Sequence, residues 1–144
     1  MTAPGGERGV GGVRGIGVDA VDVARFRQVI ERRPALVHRL FTEKEQAYAL
    51  GCADPGPRLA VRFAAKEAVL KALGVGVGAA RFRDVEVVRG DGGQPRLTLS
   101  GRAAALSVRR GVGRWHLSMT HTDTVAVASV VAEGSAHHHE GSSP

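Results

Sequence analysis

A chain of 144 residues, 43% hydrophobic and 24% charged, has the composition of one globular domain, and 4% aromatics leave its core to Val, Leu and Ala. No apolar run is long enough to span a bilayer, and the single cysteine, Cys52, excludes an internal disulfide framework. The net charge of +6 favours polyanionic partners without choosing among nucleic acid, an acidic protein and a phosphorylated ligand.

Residues 1–12 are Gly-rich and aperiodic, which predicts a flexible arm with no signal-peptide character and a cytoplasmic chain. Val13–Asp19 carries Ile16 and Val18 and reads as a strand. Asp22 can cap a helix whose apolar residues Val23, Phe26, Val29 and Ile30 recur at helical spacing, stopping before Pro34. Thr42-Glu43-Lys44-Glu45 matches a capping box, so a helix is expected from about Thr42 to Leu50.

The clearest helix runs from about Arg58 to Leu73, with Gly74 as its stop. Val85 and Val87, then Leu97 and Leu99, alternate with polar residues on either side of Gly90-Asp91-Gly92-Gly93, which predicts a hairpin. Gly101–Arg110 fits a short helix before a turn at Gly111–Gly113. Trp115–Thr120 and Val125–Val131 read as closing strands joined at Thr122-Asp123. The domain is placed at residues 13–133, and the polar segment 134–144, with three histidines, reads as a disordered tail.

On the long helix, Leu59, Phe63, Leu70 and Leu73 fall within an arc of roughly 80° at 100° per residue. Glu67 lies about 40° past its edge and Lys71 about 40° further, side by side on the helix. Spacing alone leaves an ordinary solvated i,i+4 pair open. Lys66 projects into the apolar stripe, where a charge requires a partner.

Asp19 ends the apolar strand Gly15-Ile16-Gly17-Val18-Asp19, whose small residues allow another backbone or a ligand to come close; a helix-start acid is the plain alternative. A carboxylate at a strand end and one on a helix face can share Mg²⁺, which takes one or two protein carboxylates and fills its other positions with water and phosphate oxygens. Gly74–Gly78 lacks the Lys-Ser/Thr ending of a phosphate loop and follows a helix instead of opening one. It reads as a flexible connection.

Three segments, GIGVDAVDVARF, RFAAKEAVLKALGVG and WHLSMTHTDTVAVASVVAE, resemble the signature regions of the holo-acyl-carrier-protein synthase family of 4′-phosphopantetheinyl transferases. They occur in the family's order, and the resemblance covers roughly residues 14–133. It implies a small α/β (α+β) domain with an antiparallel sheet packed against helices, commonly assembled as a homotrimer with active sites between subunits. The implied reaction moves the phosphopantetheine of coenzyme A to a serine of an apo acyl carrier protein, in fatty acid, polyketide or peptide synthesis, and releases 3′,5′-ADP.

The resemblance assigns Asp19 and Glu67 as Mg²⁺ ligands and Lys71, assisted by Arg62, to the coenzyme A phosphates. It places His121 near the pyrophosphate and Arg25 at the docking surface for the acidic carrier protein. Arg27, Arg32 and Arg33 lie beside it. Glu67, acting through a metal-held water, is one candidate base for the serine proton. Several members have Asp directly after the histidine, whereas this chain has Thr122, with Asp123 one residue later. Two other classes stay open at this point. A metal-dependent phosphohydrolase fits Asp19 and Glu67, while a basic nucleic-acid-binding module fits the charge but lacks a binding motif and stacking aromatics.

Overall fold

The computed structural model describes residues 11–135. The elements run β1 (Val13–Asp22), α1 (Val23–Arg32), α2 (Leu36–Leu40), α3 (Glu43–Leu50), α4 (Pro55–Ala72), β2 (Val85–Arg89), β3 (Pro95–Leu99), α5 (Gly101–Arg109), β4 (Val112–His121) and β5 (Val125–Gly134). A 3-10 turn at Phe82–Asp84 precedes β2. Strands β1, β5 and β4 form one antiparallel sheet with β5 in the middle, and β2 and β3 form a separate hairpin. The antiparallel α/β expectation holds. The expected arm and tail lie almost wholly outside the described residues, whose edges are tied down where Gly134 N–H donates to Gly12 O at 2.6 Å.

Helix α4 is the axis of the domain and packs against β1 and β5. Its Ala60, Ala64, Ala65 and Ala68 are buried, as are Ala126, Ala128 and Ala132 of β5, so helix and sheet approach closely through small side chains. Gly15 and Gly17 take this to its limit. A Cβ on Gly15 would overlap the Ala72 carbonyl oxygen, and one on Gly17 would overlap that of Ala68. The close approach expected at these glycines is therefore to the α4 backbone.

Elsewhere the packing is aromatic. All four phenylalanines form one chain, Phe41–Phe26–Phe63–Phe82, with ring centroids 5.5–6.3 Å apart. They join α1, the end of α2, α4 and the 3-10 turn.

Local signals behave as the residues predict. The Asp22 side chain accepts from Arg25 N–H, and Thr42 and Glu45 form the reciprocal capping box. Gly74 adopts φ +73° just past α4, where a side chain would be strained.

Three expectations change. β1 continues past Asp19 to Asp22, because Val21 keeps the inward alternation and β5 pairs as far as Asp22↔Val125. β4 begins at Val112 instead of after a 111–113 turn, and an irregularity between Val112 and Arg114 absorbs Gly113. α4 is buried well beyond one stripe, since Ala60, Ala64, Ala65 and Ala68, which lie off the arc of Leu59 and Phe63, are also fully buried. No helix among the described residues is long and apolar enough to cross a membrane.

Candidate active site

The glycine contacts fix what Asp19 faces. Gly15 and Gly17 lie against Ala72 and Ala68 of α4, and inward alternation makes Asp19 the next residue along β1 to meet that helix. Lys71 reaches across from α4 to meet it: its Nζ donates to Asp19 Oδ1 at 3.1 Å and to Val18 O at 3.0 Å. The Asp19 side chain is 16% exposed and that of Lys71 is 54% exposed. Lys71 therefore bridges to the sheet instead of closing a solvated pair with Glu67.

Glu67 is half-buried beside this pair. Burial, and next the Asp19 carboxylate, raise its pKa, with Lys71 pulling the other way. The neutral acid is thus favoured by folding, a contribution present at acidic pH and lost as pH rises through the folded pKa. Glu67→Gln should accordingly melt above the wild type at neutral pH in metal-free buffer. The gain should vanish below the ordinary carboxyl value of 4.5. A pH-independent difference between the two melting curves would show that ionisation is not the cause.

Asp19 and Glu67 open on a groove of about 640 Å³ whose apolar wall includes Phe26, Val29, Leu40, Phe63 and Val77. Arg25 stands in the same groove, on the first turn of α1. Arg27 instead forms a bidentate pair with Asp54, at 2.9 and 2.7 Å, tying α1 to the start of α4.

Arg62 and His121 are elsewhere. Arg62 lies nine positions before Lys71 on α4, about 180° around the axis at 3.6 residues per turn. It lines a second cleft, of about 180 Å³, with Tyr48, Arg58, Arg89 and His121. Five of the expected site residues therefore fall in two places on one chain: Asp19, Glu67 and Arg25 line the groove, while Arg62 and His121 line the second cleft. Lys71 joins Asp19 and also borders the outer sheet face beside Ile16 and Val18. Thr122 is committed to its turn, where Oγ1 accepts from the N–H groups of Thr124 and Val125 at 3.1 and 3.0 Å.

One supporting network was only half visible in sequence. Glu45 Oε1 accepts from Lys66 Nζ at 2.8 Å and from Thr42 N–H at 2.9 Å, and Oε2 accepts from Val87 N–H at 2.8 Å. Lys66 Nζ also donates to the carbonyls of Phe82, at 3.0 Å, and Val85. Burial lowers the Lys66 pKa, and Glu45 opposes that shift. The pair links α3, α4 and β2 and fixes the rotation of α4 one residue before Glu67.

The donors at the groove suit a hard cation. Asp19 and Glu67 meet there, Glu67 with its charge disfavoured by burial and by Asp19, while Asp22, which also lines the groove, caps α1. No group of three or more His, Cys, Asp or Glu that could hold a metal ion occurs among the described residues.

Residues 15–128 match the model of the 4′-phosphopantetheinyl transferase superfamily. The holo-[acyl-carrier-protein] synthase of Frankia casuarinae is 52% identical over 121 residues, which cover 84% of this chain and 98% of that protein. The synthase structure from Neisseria meningitidis superposes with a TM-score of 0.77 at 32% identity, covering 83% of this chain and 98% of that one. That from Bacillus anthracis, in complex with CoA (3′,5′-ADP), gives 0.71 at 35% identity and covers 85% and 98%. From Gly15 to Ala128, across the strand that carries Asp19 and the helix that carries Glu67 and Lys71, this chain belongs to the 4′-phosphopantetheinyl transferase superfamily.

Proposed function

We propose that the chain transfers the 4′-phosphopantetheine of coenzyme A to a serine of an apo acyl carrier protein. The observation that carries this is that Asp19 and Glu67, from two elements, line one groove while Lys71 is bonded to Asp19, in a chain similar along most of its length to holo-[acyl-carrier-protein] synthases. The serine oxygen attacks the pantetheine-bearing phosphorus, the bond to the bridging pyrophosphate oxygen breaks, and 3′,5′-ADP leaves with that oxygen. Such transfers depend on positioning and charge neutralisation. Asp19 and Glu67 would hold Mg²⁺, which supplies neutralisation of the pyrophosphate oxygens when bound. Lys71, held over Asp19 yet half exposed, presents its ammonium to the same phosphates. The test is whether an apo carrier protein gains phosphopantetheine.

Docking of the carrier follows from the groove. Its apolar wall suits a helix of the partner and Arg25 supplies a cation for an acidic one, while the Arg25 N–H, not its side chain, serves the Asp22 cap. Arg25→Glu should therefore raise KM for the carrier at least tenfold and leave KM for coenzyme A unchanged. The same defect should grow milder at high salt, because exposed charges are screened within about 10 Å at 0.1 M. An effect on coenzyme A alone would remove α1 from the docking surface.

A trimer brings the two separated clefts together. The outer face of the three-stranded sheet exposes Ile16 at 69% and Val18 at 58%, and Lys71 stands at its border. A second copy covering that face would lie next to Lys71, so that one subunit's Arg62 and His121 meet another's Asp19, Glu67 and Lys71 around a single coenzyme A. Light scattering should give three times the 15.1 kDa chain mass. A monomeric, active enzyme would contradict this arrangement. This leaves no part for nucleic acid or a membrane, and the cytoplasm is the proposed setting.

A further inference from the structure

The second cleft holds a stack that the transfer reaction does not yet explain. Arg62 Cζ lies 4.3 Å from the Tyr48 ring centroid and Arg89 Cζ lies 5.1 Å from the same centroid. Arg89 Nη1 also donates to the Tyr48 hydroxyl at 2.6 Å. Tyr48 comes from α3, Arg62 from α4 and Arg89 from β2, so three elements converge on one ring. Arg58 and His121 also line the cleft, and no carboxylate does so among the described residues.

Arg62 is the unusual member. It is 4% exposed, its Nη1 donates to Arg58 O at 3.3 Å, and its buried Nε has no partner among the described residues. Burial lowers its pKa, and Arg89 adds to that effect. Tyr48 and then Glu45 draw in the opposite direction, but the Glu45 oxygens are already bonded to Lys66, Thr42 and Val87. A buried guanidinium whose Nε has no partner among the described residues, sharing one aromatic ring with a second guanidinium, suits a phosphate group.

We propose that Tyr48 is a positioning residue for coenzyme A, clamping Arg62 and Arg89 so that both guanidinia meet one phosphate of the coenzyme, with Arg89 a ligand in its own right. This rests on the assignment of the second cleft to coenzyme A. Two phosphate groups offer the same chemistry, the monoester on the ribose and the pyrophosphate, and both are treated as sources in the test.

Binding of 3′,5′-ADP is measured by calorimetry for Tyr48→Leu, Tyr48→Phe, Arg89→Ala and Arg62→Ala, beside melting curves and steady-state kinetics for both substrates. Tyr48→Leu should weaken 3′,5′-ADP and raise KM for coenzyme A about tenfold, with kcat and KM for the carrier near the wild type. Tyr48→Phe, which keeps the ring and loses the hydroxyl, should fall between. Repeating the kinetics with 3′-dephospho-coenzyme A separates the sources. A Tyr48→Leu defect that disappears with this substrate assigns the clamp to the ribose monoester, and one that persists assigns it to the pyrophosphate. If Tyr48→Leu and Arg89→Ala bind normally while Arg62→Ala does not, the clamp is refuted and the cleft assignment survives. Normal binding by Arg62→Ala removes the cleft assignment and the clamp together. A Tyr48→Leu variant that loses stability and affects both substrates alike also overturns the proposal, since that is what a merely structural ring would do.

Discussion

Lys71→Ala should lower kcat by on the order of 10²–10³ while the folded protein melts within a few degrees of the wild type. The two halves of this result come from different properties of one side chain. Lys71 is 54% exposed, and an exposed ion pair such as the one with Asp19 contributes roughly 0–1 kcal/mol to stability. Losing a cation aimed at a transferring phosphoryl group removes about 3–4 kcal/mol of barrier lowering instead. Lys71→Arg keeps the charge but replaces a compact ammonium with a wider planar fork. It must still reach both Asp19 Oδ1 and Val18 O, so it should recover only part of the rate. Kinetics and melting curves on both variants decide the matter. Near-normal turnover in Lys71→Ala would return the residue to the role of a tether between α4 and β1.

Lys66→Met should destabilise the domain by about 3–5 kcal/mol, because it strands the buried Glu45 charge. For a chain of this size that is a fall in Tm on the order of 10 °C. Activity should fall with it even below the transition, since the pair sets the rotation of α4 that aims Glu67 at Asp19. The informative comparison is the double variant Glu45→Gln/Lys66→Met. Removing both charges removes the unpaired one, so much of the lost stability should return. It should not return fully, because Glu45 also accepts from Thr42 and Val87 N–H groups. Thermal denaturation of the three proteins checks this. A Lys66→Met protein as stable as the wild type would show that the pair is dispensable.

Much of the fold could be read from local signals, and the site residues from motifs. The caps at Asp22 and Thr42, the stop at Gly74 and the hairpin around Gly90–Gly93 rest on neighbouring residues, whose chemistry the sequence states directly. What stayed hidden depended on distant partners. Arg62 looked like a companion of Lys71 because both belong to one motif. The angle between them around α4 places them on opposite sides, and only the packed helix shows that each side is bordered by something. Glu45 was visible as a capping acid, but its second task, receiving the Lys66 charge from 21 residues away, follows from α3 lying on α4. Short α2 gave no periodic signal, since its five residues bury no side chain fully. Tyr48 and Arg89 carried no signal at all, being ordinary residues of a helix and a strand until three elements bring them to one ring.

The proposed reaction is a covalent transfer, and the mass of the acceptor reports it directly. An apo acyl carrier protein incubated with this enzyme, coenzyme A and Mg²⁺ should gain the mass of one phosphopantetheine on a serine. The same incubation with Asp19→Ala, with Glu67→Ala, or with chelator in place of Mg²⁺ should leave the carrier unmodified while both variants remain folded. A carrier of unchanged mass beside a folded wild-type enzyme, or phosphate released from coenzyme A with no carrier present, would contradict the account.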